Sequence, residues 1–313
     1  MVVNLKIIVI CGATATGKSR LAIELAKQLN TEIISADSMQ IYKYMDIGTA
    51  KPSDAELLLI PHHMINVAEP SEYFTADKYV QLAQMHIEQI SSKGKIPIIC
   101  GGTGMYIDTL LGRMYLSGHG KDEEYRGYLY ALAKEKGGQH LLDMLSKTDE
   151  VTAQRLHPND LKRIIRALEI YKTTGKTVEE NNNSVNRPNS SYHPLYIGLT
   201  YENRETLYRE INIRVDEMIK KGLVDEVKWL ITKGINQSDT SMQAIGYKEI
   251  TRHLSGEYDL NTAVDKIKQE SRRYAKRQQT WFRRNEDINW FHADKIGFND
   301  IVNLSMQLIN TKI

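Results

Sequence analysis

The stretch that most constrains this chain is residues 12–19, Gly-Ala-Thr-Ala-Thr-Gly-Lys-Ser. It follows Lys6-Ile7-Ile8-Val9-Ile10-Cys11, which has the composition of a short buried strand. It precedes residues 21–29, where Leu21, Leu25 and Leu29 recur at helical spacing. A strand, a G-x-x-x-x-G-K-S loop and a helix make a P-loop. Backbone N–H groups of Gly12, Ala13, Thr14, Ala15, Thr16 and Gly17 then turn inward around an anion, and the helix N-terminus adds its dipole. Lys18 supplies a point charge to phosphates and Ser19 a hydroxyl for Mg²⁺. The pattern points to a di- or triphosphate ligand and leaves the reaction open.

The sheet that this loop implies can be followed along the chain. A second strand is expected at 32–35, and Asp37-Ser38-Met39-Gln40 comes just after it. Ligands of open α/β sheets gather beyond the carboxyl ends of strands. Asp37 would therefore share an edge with the P-loop, as a general base, as a metal-shell ligand or as a helix N-cap. Residues 42–66 read as irregular, broken by Gly48, Pro52 and Pro61. Adjacent His62 and His63 read as structural histidines, because no Cys, Asp or Glu cluster completes a metal site. A helix is expected over 75–91 and a third strand over 96–100. That strand ends in Gly101-Gly102-Thr103-Gly104, either an ordinary turn or a close approach to a ligand with Thr103 donating its hydroxyl.

The character changes near Ser117. Residues 122–171 are charged, strand-poor and helical in period, in about four helices. A polar linker without periodicity is expected over 181–191. Strand character returns at 195–199, then helical pattern over 204–233 with a break at Gly222, a last strand at 289–291 and a closing helix over 299–309. The simplest organisation is a split α/β core, 1–117 and 193–313, carrying an all-helical insert, 118–192. The fold class expected is a P-loop NTPase-like parallel sheet with helices on both faces, plus that inserted domain.

The net charge is +2, so any nucleic-acid affinity must be local. Two clusters qualify. Residues 266–284 hold eight Lys and Arg against the single Glu270, with Tyr274, Trp281 and Phe282 interleaved. Ile267, Tyr274 and Trp281 repeat at heptad spacing and are expected to face the core, while Arg273, Arg277 and Arg284 share another face with Lys276 at its flank. Lys162, Arg163 and Arg166 form the second cluster, inside the insert. Such density exceeds what solvation needs and fits a nucleic-acid footprint. The two cysteines, Cys11 and Cys100, end apolar runs and read as buried free thiols. No stretch approaches the ~20 apolar residues of a membrane span, so no membrane partner and a cytoplasmic location are expected.

Seven stretches in order resemble the bacterial tRNA dimethylallyltransferases, the tRNA isopentenyltransferase (IPP transferase) family. They are residues 12–19, Ser-Ala-Asp-Ser-Met-Gln-Ile-Tyr at 35–42, Pro-His-His-Met-Ile at 61–65 and Gly-Gly-Thr-Gly-Met-Tyr at 101–106. His-Pro-Asn-Asp at 157–160, Ile-Gly-Tyr-Lys-Glu at 245–249 and Lys-Arg-Gln-Gln-Thr-Trp-Phe-Arg at 276–283 complete the set. The resemblance covers essentially the whole chain. It implies a monomeric enzyme that moves a dimethylallyl group from dimethylallyl diphosphate to N6 of the adenosine 3′-adjacent to a tRNA anticodon. On that resemblance the P-loop holds the prenyl diphosphate with Mg²⁺ at Ser19, Thr103 and Arg214 assist at its oxygens, and Asp37 takes the amine proton. Ser38, Met39 and Gln40 lie against the target base. Lys162, Arg163, Arg166, Gly246, Tyr247, Lys276, Arg277, Trp281 and Arg283 contact the tRNA, the insert clamping the anticodon stem-loop against the core.

The chain departs from the family pattern in places. Ala13 and Thr16 stand where Pro and Ser are commoner, without consequence for a backbone cradle. Glu210 stands where a second Arg often precedes Arg214, which leaves Arg209 as the alternative arginine. Three rivals remain: prenylation of free adenine nucleotides, a small-molecule kinase, and a non-catalytic RNA-binding NTPase. The basic run and the long insert weigh against the first.

Overall fold

The computed structural model describes residues 5–114, 122–184 and 191–313. The first elements are β1 (Leu5–Gly12), α1 (Lys18–Gln28), β2 (Ile33–Ser35), α2 (Asp54–Leu59), β3 (His62–His63), α3 (Ala76–Ser92), β4 (Ile98–Cys100) and α4 (Gly104–Leu110). The helical stretch follows as α5 (Glu123–Lys136), α6 (Gly138–Ser146), α7 (Glu150–Gln154), α8 (Leu161–Thr174) and α9 (Val178–Ser184). The chain then continues through β5 (Tyr192–Thr200), α10 (Arg204–Lys220), α11 (Leu223–Thr232), α12 (Tyr247–Leu254), α13 (Leu260–Phe282), β6 (Asn289–His292) and α14 (Phe298–Lys312). It divides into two compact units, Met1–Leu111 with Ser191–Ile313, and Gly112–Ser190.

The first unit is built on one six-stranded sheet, ordered β3-β2-β4-β1-β5-β6, with every pairing parallel. A parallel sheet must be covered on both faces, and β1 shows how the sequence provides for it. Ile7, Val9 and Cys11 point to one face and join Tyr79, Ile87, Ile107, Val215, Tyr247 and Ile267 from the helices there. Ile8 and Ile10 point to the other and join Leu21 and Leu25 of α1 with Ile301, Val302 and Ile309 of α14. The expected class, a parallel α/β sheet with helices on both faces, is the one observed. Cys11 and Cys100 are buried free thiols in it.

Two expectations need correction. Residues 42–66 are not wholly irregular. Ser53 and Glu56 form a capping box: Ser53 Oγ accepts the Glu56 N–H, and the Glu56 carboxylate accepts the Ser53 N–H at 2.8 Å. That is enough to start α2 between the prolines. His62 and His63 then pair with Ile33 and Ile34 as a sixth, two-residue strand, too short and too polar to announce itself. His63 Nε2 lies 2.8 Å from Glu32 Oε2, and its ring stacks on His86 with centroids 4.2 Å apart. The polar linker expected over 181–191 begins later, because α9 runs to Ser184 and the Asn181 side chain donates to the Thr174 hydroxyl and the Thr177 carbonyl. The rest of that stretch, 185–190, and the expected boundary at 117–118 lie outside the described residues. At the other boundary, Tyr192 pairs with Leu5 and so belongs to the sheet.

The second unit, among its described residues, is all helix. Its own core joins Leu129 and Leu132 of α5, Leu141 and Leu145 of α6, Ala153 of α7 and Ile164, Ile165 and Leu168 of α8. Buried in the same unit is Glu169, which accepts two bonds of 2.7 Å from Arg126 and a third contact from Arg166. Burial pushes its carboxyl up, but the arginines outweigh it and hold it down at about 2.

Candidate active site

The P-loop leaves β1 at Gly12 and enters α1 at Lys18. Gly17 has φ +88° and Ala15 φ +62°, so the loop alternates into the left-handed region, the conformation from which backbone N–H groups can converge on an anion, although the Thr14 N–H, expected to turn inward, is taken by Gln278. Ala13 is fully buried against Leu207, Ile211 and Ala275, and the Thr16 hydroxyl donates to the Ala13 carbonyl at 2.9 Å. These contacts fix the loop from behind. Lys18 folds back so that Nζ donates to the Ala13 carbonyl. Burial, aided by the Arg214 charge and opposed by Cys100 and Asp37, brings its pKa down to about 8. A lysine desolvated in this way gains most from an anion.

The turn after β2 stands beside it. Asp37 Oδ1 accepts the Met39 N–H at 2.8 Å and the Gln40 N–H at 3.4 Å, so the carboxylate caps a turn and no helix follows. The turn after β4 approaches it backbone to backbone. A Cβ on Gly101 would lie 2.1 Å from the Ala36 carbonyl oxygen, so only glycine permits the contact. Thr103 accepts the Ser38 N–H at 3.0 Å and donates to the Ser38 hydroxyl at 3.4 Å. Its hydroxyl thus ties the two turns together.

These turns open on a cavity of about 440 Å³. One part of its wall is polar, from Thr14, Ala15, Gly17, Lys18, Ser19, Asp37 and Arg214. Another is apolar, from Ile211, Val215 and Met218 of α10 with Ala244, Ile245 and Ile267. An anion with a short branched hydrocarbon tail would find both surfaces it needs. Arg214 is in this wall, its pKa lowered by burial and raised by Asp37. Arg209, the alternative arginine, is exposed and pairs with Glu210 at 3.6 Å. Burial pushes both thiols up, Cys100 to about 12, so neither is a nucleophile at neutral pH.

The remaining expected residues separate into three groups. Lys276, Arg277 and Arg283 are exposed on or just past α13, and Arg277 also lines the cavity; Lys162 and Arg163 are exposed on α8. Arg163 pairs loosely with Asp160 at 3.6 Å, whereas Arg166 is held by Glu169. Ser38, Met39 and Gln40 all line the cavity, but the amide of Gln40 is engaged by the protein: Oε1 accepts from Ser35 Oγ at 2.9 Å, and Nε2 donates to the Thr49 and Ala50 carbonyls. Gly246 and Tyr247 are not surface residues. Both are buried, and the Tyr247 hydroxyl donates to Glu226 at 2.6 Å, the carboxylate that also accepts the N–H groups of Asp46, Ile47 and Gly48. Their place is under the 46–50 loop, a supporting role. Trp281 is half-buried, with Nε1 donating to Asp108 at 2.7 Å.

Sequence reasoning missed Tyr274 and Gln278 as parts of the site. Tyr274 was placed in the core but lines the cavity. Burial and the Asp37 charge push its hydroxyl up to about 12, so it stays a neutral donor. Gln278 also lines the cavity and bonds to Thr14 of the P-loop and to Gly102. The only advance sign was its position inside the 276–283 motif.

Comparison with known proteins gives a consistent answer. A family model described as IPP transferase matches residues 40–285. A tRNA dimethylallyltransferase of Caldanaerobacter subterraneus subsp. tengcongensis is 51% identical over 93% of this chain and 92% of its own length. One of Carboxydothermus hydrogenoformans is 49% identical over 95% of this chain and 94% of its own. The full-length tRNA isopentenylpyrophosphate transferase of Bacillus halodurans superposes with a TM-score of 0.74 at 42% identity, covering 98% of this chain and 96% of that one. A eukaryotic dimethylallyltransferase acting on tRNA gives a TM-score of 0.83 at 30% identity, over 99% of this chain and 81% of that one.

Proposed function

The chain belongs to the IPP transferase family, and on that premise we propose how its cavity transfers a dimethylallyl group to tRNA. The donor is dimethylallyl diphosphate and the acceptor is N6 of the adenosine 3′-adjacent to the anticodon. The observation that carries this reading is one cavity walled by an anion-binding P-loop, a turn-fixed carboxylate and an apolar patch. The diphosphate lies in the P-loop and the dimethylallyl tail on Ile211, Val215 and Met218.

An exocyclic adenine amine is a poor nucleophile because its lone pair is delocalised into the ring. Asp37 accepts a hydrogen bond from it, orients the lone pair and takes the proton that attack makes acidic. The N6–C1 bond forms as the C1–O bond breaks, and the electron pair leaves with the diphosphate. Charge then grows on the diphosphate in a cavity lined by the P-loop, Lys18 and Arg214, where fixed charges lower a barrier most. Thr103 acts by holding Ser38, and with it the Asp37 turn.

Among the described residues no group of three His, Cys, Asp or Glu could hold a metal by itself. The donors facing the cavity, the Ser19 hydroxyl and the Asp37 carboxylate, are oxygen ligands of the kind Mg²⁺ prefers when it arrives with a phosphate. Ser19 would hold such an ion, which supplies neutralisation of the leaving diphosphate. The target base must leave its stack to reach Asp37. Lys276, Arg277 and Arg283, and separately Lys162 and Arg163, are the exposed cations for the tRNA backbone. No helix among the described residues is long and apolar enough to cross a membrane. A monomer acting on tRNA in the cytoplasm suits these features.

The test is transfer of label from dimethylallyl diphosphate to unmodified tRNA with Mg²⁺, beside free adenine nucleotide and ATP. Label in the anticodon loop alone is expected. Label on free nucleotide, or phosphate moved from ATP, would overturn the reading.

A further inference from the structure

Gln278 is 6% exposed, and its amide is used at both ends. Oε1 accepts the Thr14 N–H at 2.8 Å and Nε2 donates to the Gly102 carbonyl at 3.0 Å. Thr14 belongs to the P-loop after β1, and Gly102 to the turn after β4. An exchange of the amide oxygen and nitrogen would set donor against donor and acceptor against acceptor, so the two partners fix its orientation. A Cβ on Gly102 would lie 2.1 Å from Nε2, so the amide fills the space a side chain would need. One helical turn earlier, Tyr274 lines the same cavity. The next residue after Tyr274 is Ala275, packed on Ala13 of the loop.

The Thr14 N–H is therefore satisfied by a side chain of α13 that lines the same cavity. A short loop whose N–H groups converge on an anion is conformationally expensive to assemble at the moment of binding, and a contact that holds it beforehand raises affinity without touching the ligand. We propose that Gln278 is a positioning residue for the donor diphosphate, clamping the P-loop and the 101–103 turn in one register so that the cradle and the Thr103–Ser38 tie are formed before the donor arrives. Both ends of its amide are taken up by the protein, so it acts through the loop and turn it holds. The inference rests on the reading that the P-loop holds dimethylallyl diphosphate.

The test compares the wild-type chain with Gln278→Met and Gly102→Ala. The first removes both bonds at similar volume. The second keeps the glutamine and pushes its amide away. Calorimetric Kd for inorganic diphosphate is measured together with KM for dimethylallyl diphosphate and KM for tRNA. Both variants are expected to raise the diphosphate Kd and the donor KM together, about tenfold, with the tRNA KM within about twofold of wild type. A purely structural glutamine would instead lower the melting temperature and leave both donor constants unchanged, and that result would overturn the proposal, as would a loss confined to the tRNA KM. If Gln278→Met does not fold, Gly102→Ala carries the same comparison. If the wild type transfers nothing to tRNA, the functional reading fails, while the diphosphate Kd values still decide the clamp.

Discussion

The loop after β1 and the turn after β2 leave the same edge of one sheet, yet they depend on their side chains in opposite ways. The P-loop presents backbone. Its conformation comes from Gly17 and Ala15 at positive φ, from Ala13 buried beneath, and from Gln278 bonded to Thr14. The Asp37 turn presents a single carboxylate, held by the N–H groups of Met39 and Gln40 and braced through Ser38 by Thr103. A cradle built of peptide groups tolerates substitution at several of its positions. A base built of one side chain tolerates none at that position.

The sharpest way to break this contrast is at Asp37. Replacement by alanine should lower turnover by about 10²–10⁴ while diphosphate and tRNA still bind, because general-base assistance is of that size. A parallel loss of binding would make Asp37 part of the cradle. Lys18 is the one P-loop side chain whose charge matters. Lys18→Met should weaken diphosphate binding roughly 10- to 100-fold, the range for a charge-assisted hydrogen bond.

Lys18 also gives the contrast a pH signature. Burial holds it at about 8, against 10.5 for an ordinary lysine. Diphosphate affinity should therefore fall as pH rises past about 8, where the free protein's lysine loses its proton. Stability of the ligand-free protein should move the other way. Between about 8 and 10.5 the unfolded chain binds more protons than the folded one, so stability rises with pH across that window. Thermal unfolding and calorimetry over that range check both signs, and Lys18→Met should flatten both.

Smaller effects follow away from the two turns. Arg277→Gln should reduce the salt dependence of tRNA binding by one phosphate contact, a slope change of about 0.7–0.9. Thr16→Ser should change the donor KM less than about twofold, since serine keeps the hydroxyl that meets the Ala13 carbonyl and the cradle itself is backbone. A large effect there would show that the loop is less tolerant than the contrast requires.

Particular residues show what the sequence could and could not reveal. The P-loop is legible because its strand, glycines, lysine and helix are adjacent, and the local chain carries the whole device. Asp37 was legible as a position at a strand end but not as a conformation, since the hydrogen bonds that make it a turn cap are tertiary in their bracing. Gln278 was legible as a member of the 276–283 motif but not as a clamp. Its partner Thr14 is 264 residues away, and nothing in Lys-Arg-Gln-Gln says which amide will turn inward. Tyr247, expected by resemblance to contact the tRNA, is buried beneath the 46–50 loop against Glu226 and Gly48, a tertiary placement its motif does not announce. The pair α2 and β3 was hidden because prolines masked a capping box and because two histidines carry no strand pattern.

The division of labour between the two turns is tested most directly by Asp37→Asn. Asparagine keeps an Oδ1 acceptor for the Met39 N–H, so the turn remains, but it cannot take a proton. With dimethylallyl diphosphate and tRNA both saturating, single-turnover transfer should fall at least about 10²-fold, and the Kd for inorganic diphosphate should stay within about twofold of wild type. A transfer rate within tenfold of wild type under those conditions would contradict the account, and the proton would have to leave by another group.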